Sequence, residues 1–220
     1  MANFFKKEDT LLTPNCTLLL MGYQPRMLFS VKSMDSETLV NNAIGLAKTA
    51  KAFKIPTVAT SLSEKNFSEH IFSPLQKVLS PLSVIDHTTL SPWEDSRIVE
   101  AVKKTRHEKL VIAGLWTEIC VAFSTIKALE SGYTVYVVAD ACGGTTKIAH
   151  KTAMQRMIQA GAIPITWLQF LLELQRDWAR QESSTEVSNI IMEHAGAYGV
   201  GLECAKTMNN SLIEETTFVI

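Results

Sequence analysis

Cys120 is the residue of this chain best placed for chemistry. It follows a short apolar, β-prone run over 109–115, and it lies in a stretch whose apolar residues Ile119, Val121, Ala122, Phe123, Ile126 and Leu129 fall at helical spacing. A thiol at that junction sits in the first turn of a helix, where unpaired backbone N–H groups and the helix dipole favour the thiolate. The chemistry this suits is nucleophilic. Against it stands the commoner role of a lone cysteine as a small buried hydrophobe. Thr117-Glu118, just before it, reads as ordinary N-terminal capping. Cys142, ahead of Gly143-Gly144, reads as a buried loop thiol; a redox pairing of Cys120 with Cys142 is the weaker alternative. His70, His107, His150 and His194 lack metal-ligand spacing and read as surface residues, so neither a metal nor another cofactor is expected. The GGTT at 143–146 lacks both the P-loop lysine and the GxGxxG pattern, which argues against nucleotide binding.

Such a junction needs a strand before it and a helix after it, and the whole chain alternates the two. Strands are expected over 17–21, 56–61, 82–85, 109–115, 134–139 and 163–167, and helices over 36–53, 94–106, 119–131, 147–160 and 168–181. Most of the strands are nearly continuous apolar runs, as in parallel sheets covered on both faces. Together they predict a three-layer α/β/α sandwich around a mostly parallel six-stranded sheet of order 3-2-1-4-5-6. Asp35 or Ser36 caps the first helix, and Ser131-Gly132 and Ala160-Gly161 end later ones. The segment 66–80 is the least regular and is expected to cover one end of the sheet. One domain over 1–181 is followed by a C-terminal extension over 182–220 that packs on the domain or on a neighbouring subunit. Its apolar part, IIMEHAGAYGVGLECAKTM, points to a homo-oligomer.

Open parallel sheets bind ligands beyond the carboxyl ends of their strands, where the strand order reverses. Here that lies between the first and fourth strands. Gly22, Tyr23 and Gln24 then face the segment leading to Cys120, with Asp86 and His87 close by, while Trp93 reads as a packing anchor. The 220 residues fit one α/β domain. A formal net charge of -1 leaves no electrostatic footprint for nucleic acid or an anionic membrane. No apolar run reaches the roughly 20 residues of a transmembrane helix, and MANFFKKEDT lacks the apolar core of a secretory signal. Four scattered cysteines with no CxxC pair exclude a disulfide framework or zinc site and make a cytoplasmic location the default.

The run LVIAGLWTEICVAFSTIKALESGYTVYVVADACGG resembles the nucleophile region of the isochorismatase-like cysteine hydrolases, especially a bacterial branch of unknown substrate. The resemblance continues through LLLMGYQPRMLFSV, SPWEDSRIVEAVKKT and HKTAMQRMIQAGAIPITWLQFLLELQRDWAR, covering most of residues 12–181, and AYGVGLE near 197 is similar to tails of that branch. It implies an aspartate that takes the thiol proton, a lysine or arginine that orients the pair, and a cysteine that forms an acyl-enzyme later cleared by water. It also implies an oxyanion and substrate site around Trp116, Thr117, Ile119, Tyr23 and Gln24. A cis peptide ahead of the nucleophile is matched to Trp116–Thr117, and the substrate is a small amide or related carbonyl compound.

Two positions depart from the pattern. Members read LLLIDHQ or LLLVDxQ at the end of the first strand; this chain reads LLLMGYQ, so Gly22 takes the place of the aspartate. The basic residue precedes the WED motif by a few positions, and counting back from Trp93 reaches His87, or Asp86 if the loop differs by one. His87 is then a substitute base. Two functions follow: a cysteine hydrolase working through Cys120 and His87, or a catalytically lapsed member serving as a ligand-binding or oligomeric scaffold.

Overall fold

A computed structural model describes residues 15–63 and 70–217, the side chains of 209–217 excepted. MANFFKKEDT and residues 66–69 of the irregular segment lie outside the described residues. Six strands form one sheet: β1 (Cys16–Met21), β2 (Thr57–Leu62), β3 (Val84–His87), β4 (Lys109–Gly114), β5 (Thr134–Val138) and β6 (Ile163–Ile165). Their order is β3-β2-β1-β4-β5-β6 and every pairing is parallel, as expected. The cause is visible in β1 and β4. All of CTLLLM is buried, as is LVIAG of β4. Strands with no polar face to give to water need helices on both sides.

The helices are α1 (Pro25–Phe29), α2 (Ser36–Ala52), α3 (Ser73–Leu79), α4 (Ser96–Lys104), α5 (Ala122–Glu130), α6 (Lys147–Gln159), α7 (Trp167–Gln175), α8 (Gln181–His194) and α9 (Ala197–Thr217). Side-chain caps start four of those that surround the sheet, among them α4, where Asp95 accepts the Arg97 N–H at 3.0 Å. Asp35 accepts the Thr38 N–H at 2.9 Å, Thr146 that of Ala149 at 3.0 Å, and Thr166 that of Gln169 at 3.1 Å. Each such cap stabilises its helix by about 1 kcal/mol.

Three expectations need correction. Within the supposedly irregular segment, α3 forms on Pro74 in its first turn and buries Leu75 completely; the helix is too short to show a period. β3 starts two residues later than expected, because the Leu82 N–H closes a turn on the Leu79 carbonyl at 2.8 Å and Val84 is the first residue to pair, with Ala59. The helix expected to run to 181 stops at Gln175, where Arg176 turns left-handed at φ 63°. The polar QESSTEVSN that follows opens α8, which packs on α2 and places Val187, Ile190 and Ile191 in the core. Full burial of one such side chain contributes about 1.5–3 kcal/mol. α9 packs on α8 and leaves Val200 and Met208 exposed. Among the described residues no helix is long and apolar enough to cross a membrane.

Candidate active site

β4 delivers the nucleophile candidate. Leu115 donates its N–H to the Met21 carbonyl at 2.9 Å and still pairs with Gly143 of the loop after β5. The chain leaves the sheet at the next bond, Leu115–Trp116, and it is this bond that is cis rather than the expected Trp116–Thr117. Residues Thr117–Val121 then form one turn wound wider than an α-helix, with the Ala122 N–H reaching the Thr117 carbonyl, before α5 begins. Cys120 lies in this turn. It is 2% exposed yet stands outside the contiguous apolar core that includes Val121 and Ala122.

The thiol is neutral at rest. Burial pushes its pKa up from 9.0 to about 11; backbone hydrogen bonds at Trp116 and Cys120 itself pull the other way, and the Glu118 charge adds to the rise. Burial thus opposes the thiolate that a helix end would favour. A helix terminus contributes only about 0.3–1 kcal/mol at exposed sites, and desolvation of this buried sulfur outweighs it.

Around the turn, several side chains expected to face a ligand serve instead as fasteners. Tyr23 is fully buried, and its hydroxyl donates to the Ala141 carbonyl at 2.5 Å, joining the ends of β1 and β5. Gln24 clamps the end of β2: its Oε1 accepts the Leu62 N–H at 2.7 Å and its Nε2 donates to the Leu62 carbonyl at 3.2 Å. Trp116 donates Nε1–H to the Met27 carbonyl at 2.9 Å. Two N–H groups of the expected oxyanion site are also engaged, Thr117 with the Gly143 carbonyl at 2.9 Å and Ile119 with the Trp116 carbonyl at 3.1 Å. Gly22 adopts φ +65°, and a Cβ there would lie 2.6 Å from the Leu115 carbonyl oxygen, so only glycine fits.

His87 ends β3 and is 3% exposed. Its Nδ1 lies 2.9 Å from the Thr89 carbonyl oxygen. A carbonyl only accepts, so Nδ1 carries the proton and the neutral ring keeps its lone pair on Nε2. Burial lowers the His87 pKa and Arg97 adds to that, against the Thr89 bond, Asp95 and Asp86. Asp86 itself is occupied: its Oδ1 accepts from Ser61 at 3.2 Å and its main-chain carbonyl from Arg97 at 2.7 Å. β2 and β1 separate β3 from β4, and no hydrogen bond joins His87 to Cys120 among the described residues.

Of the histidines expected on the surface, His70 is exposed, whereas His107, His150 and His194 are partly buried. His107 Nδ1 is 3.2 Å from Thr17 Oγ1, His194 Nδ1 is 2.8 Å from Asn41 Oδ1, and His150 Nδ1 is 2.8 Å from Thr117 Oγ1. Thr117 and Glu118 do not cap α5. Glu118 Oε1 accepts both the Thr145 N–H at 2.9 Å and its hydroxyl at 2.6 Å. The partners come from the far side of β5, which no local spacing reveals. A cavity of about 600 Å³ lies elsewhere at this end of the sheet, lined by Asp35, Asn41, Asp140, Trp167 and His194, and excludes Cys120. Among the described residues no three His, Cys, Asp or Glu side chains are grouped to hold a metal ion.

Comparison with known proteins places this geometry. The isochorismatase domain model matches residues 16–169. Probable hydrolase YcaC of Escherichia coli is 34% identical over 165 residues, spanning 74% of this chain and 79% of that one. The crystal structure of the Escherichia coli YcaC gene product, an octameric hydrolase of unknown specificity, superimposes with a TM-score of 0.87 at 30% identity, over 93% of this chain and 100% of its own. YcaC from Pseudomonas aeruginosa with hexane-2,5-diol and covalent acrylamide gives a TM-score of 0.86 at 29% identity, over 92% and 100%. The domain match covers all six strands and the Cys120 turn, and the chain belongs to the isochorismatase family.

Proposed function

We propose that this protein is a cysteine hydrolase of small amides or related carbonyl compounds, with Cys120 as nucleophile. The observation that carries the reading is the position of the thiol: buried, outside the apolar core, and on the turn that leaves β4 where the strand order reverses. Covalent acrylamide in the Pseudomonas aeruginosa relative supports a reactive nucleophile in this fold.

In this reading Gly22 stands where relatives carry the base, and the Leu115 carbonyl closes that space to a carboxylate. His87 takes the role, with the Nε2 lone pair that its bond to Thr89 leaves free. Catalytic hydrogen bonds are often long or poorly aligned before substrate binds. The thiol proton passes to Nε2 as Sγ bonds to the carbonyl carbon. The C–N bond then breaks as the leaving nitrogen takes that proton, and water cleaves the thioester to restore the thiol. With the Thr117 and Ile119 N–H groups engaged, the Cys120 N–H is the oxyanion donor of this reading. Tyr23, Gln24 and Trp116 hold the surrounding strand ends. The protein works as a homo-oligomer in the cytoplasm, with light scattering as the check on assembly.

The deciding experiment is ammonia release from a panel of small primary amides. Wild type turns over at least one, Cys120→Ser none, and His87→Ala loses about 10²–10⁴-fold. A wild-type protein that releases no ammonia and acquires no adduct on Cys120 is a binding scaffold instead.

A further inference from the structure

The turn carrying Cys120 is held at its first two residues from outside. Thr117 is fully buried; its N–H donates to the Gly143 carbonyl at 2.9 Å, and its hydroxyl lies 2.8 Å from His150 Nδ1. Glu118 is tied to Thr145 by the two hydrogen bonds at Oε1. Gly144 between them is packed so closely that a Cβ would meet Glu118 Oε2 at 2.8 Å and His150 Cβ at 2.9 Å. Glu118 Oε2 is buried without a hydrogen-bond partner. The same loop is tied onward, since the Gly144 N–H donates to Ser33 Oγ at 2.9 Å and its carbonyl accepts the Lys32 N–H at 3.0 Å. Wide turns are rare and occur frequently at functional sites, and these anchors hold this one from outside.

We propose that His150 is a positioning residue for the nucleophile: through the Thr117 hydroxyl it sets the turn that aims Cys120. The inference rests on Cys120 being the reactive thiol. His150 is mounted on α6, whose first turn is capped by Thr146, so the imidazole is presented by a rigid element. In the neutral ring with its proton on Nε2, Nδ1 accepts from Thr117. Ring protonation makes Nδ1 a donor, reverses that bond, and places a cation beside the unpartnered Glu118 oxygen. Burial lowers the His150 pKa and the Glu118 charge opposes this, so the neutral ring is the form present at neutral pH. Lys147 and Lys151 flank His150 on its own helix; Glu118 is the charge facing it from the turn. The sulfur makes no bond to His150, so the effect runs through geometry. A misplacement of about 1 Å at a reacting group costs on the order of 10²-fold in rate.

The test is the rate of acrylamide addition to Cys120 across pH, followed by intact mass and peptide mapping, with Cys120→Ser as the control for site. In this probe reaction Sγ bonds to the β-carbon of acrylamide, a proton from solvent goes to the α-carbon, and nothing leaves. His150→Ala and Thr117→Val are expected to slow addition by about ten- to a hundredfold at equal thiolate fraction. His150→Asn, whose amide reaches the place of Nδ1, is expected to restore most of the rate and to lose the acid-side inflection shown by wild type. Should His150→Ala fold poorly, the His150→Asn profile decides alone. The variants are compared in a His87→Ala background, so that His87 titration does not contribute; there, an acid-side inflection that survives in His150→Asn, or a folded His150→Ala with the parent rate and profile, overturns the proposal. A wild-type Cys120 that takes no acrylamide overturns the nucleophile reading itself, and this inference with it.

Discussion

Gly22 and the Leu115 carbonyl lie so close that no side chain fits between them: a Cβ at position 22 would stand 2.6 Å from that oxygen, on a residue already at φ +65°. Gly22→Ala is therefore expected to cost about 1–3 kcal/mol, the usual penalty for forcing a side chain into such a conformation. Urea unfolding measures it. Gly22→Asp is expected to be at least as destabilised and to gain no amidase activity. An alanine variant as stable as wild type would show that the β1–β4 end can relax.

The buried thiols make stability fall in alkali. Burial raises Cys16 and Cys142 to about 12 and Cys120 to about 11, from an ordinary value of 9.0. A pKa raised on folding contributes stability that is complete below the unfolded value and is lost as pH rises through the folded one. Unfolding free energy should hold up to about pH 9 and then decline toward pH 12. Cys142→Ala should flatten part of that decline. A wild-type curve level across the window would contradict the desolvation argument.

Tyr23→Phe removes the hydroxyl that serves the Ala141 carbonyl and leaves that buried oxygen unpaired. The expected cost is about 1–3 kcal/mol, read as a shift in the denaturation midpoint at constant slope. The Tyr23–Phe72 edge contact, at 5.8 Å between ring centres, survives in the variant and should keep the fold intact.

If His87 is the base, activity requires its neutral ring. Burial lowers its pKa below the ordinary 6.5, so the acid limb of the pH–rate profile should lie below that value, with activity rising as pH increases through it. His87→Ala should lose the limb along with the rate. A limb unchanged in that variant assigns proton transfer to another group.

The sheet was legible because β1 and β4 are apolar at nearly every position, which leaves few folds able to cover them. Strand order then placed Gly22 and Leu115 side by side, and the register pairs Met21 with Gly114. The directions of side chains were not legible. Tyr23 follows the strand end directly, yet its ring points into the core, because the Ala141 carbonyl that its hydroxyl bonds lies across the sheet. The wide turn was hidden too, since Ile119, Val121 and Ala122 fit an α-helical spacing equally well. His150 lies 33 residues from Thr117 in the chain, brought near only after β5 is crossed. The thiol's charge state depends on weighing a helix end against burial, and spacing carries only the first.

Cys16, Cys120 and Cys142 are buried, whereas Cys204, on the C-terminal helix, is exposed. The native chain thus comes with a single accessible handle for bulky reagents. A dye carrying a maleimide should mark Cys204 at neutral pH and spare the other three. Fluorescence from the tail could then report on assembly while the interior chemistry is left untouched, with no cysteine added or removed by mutation.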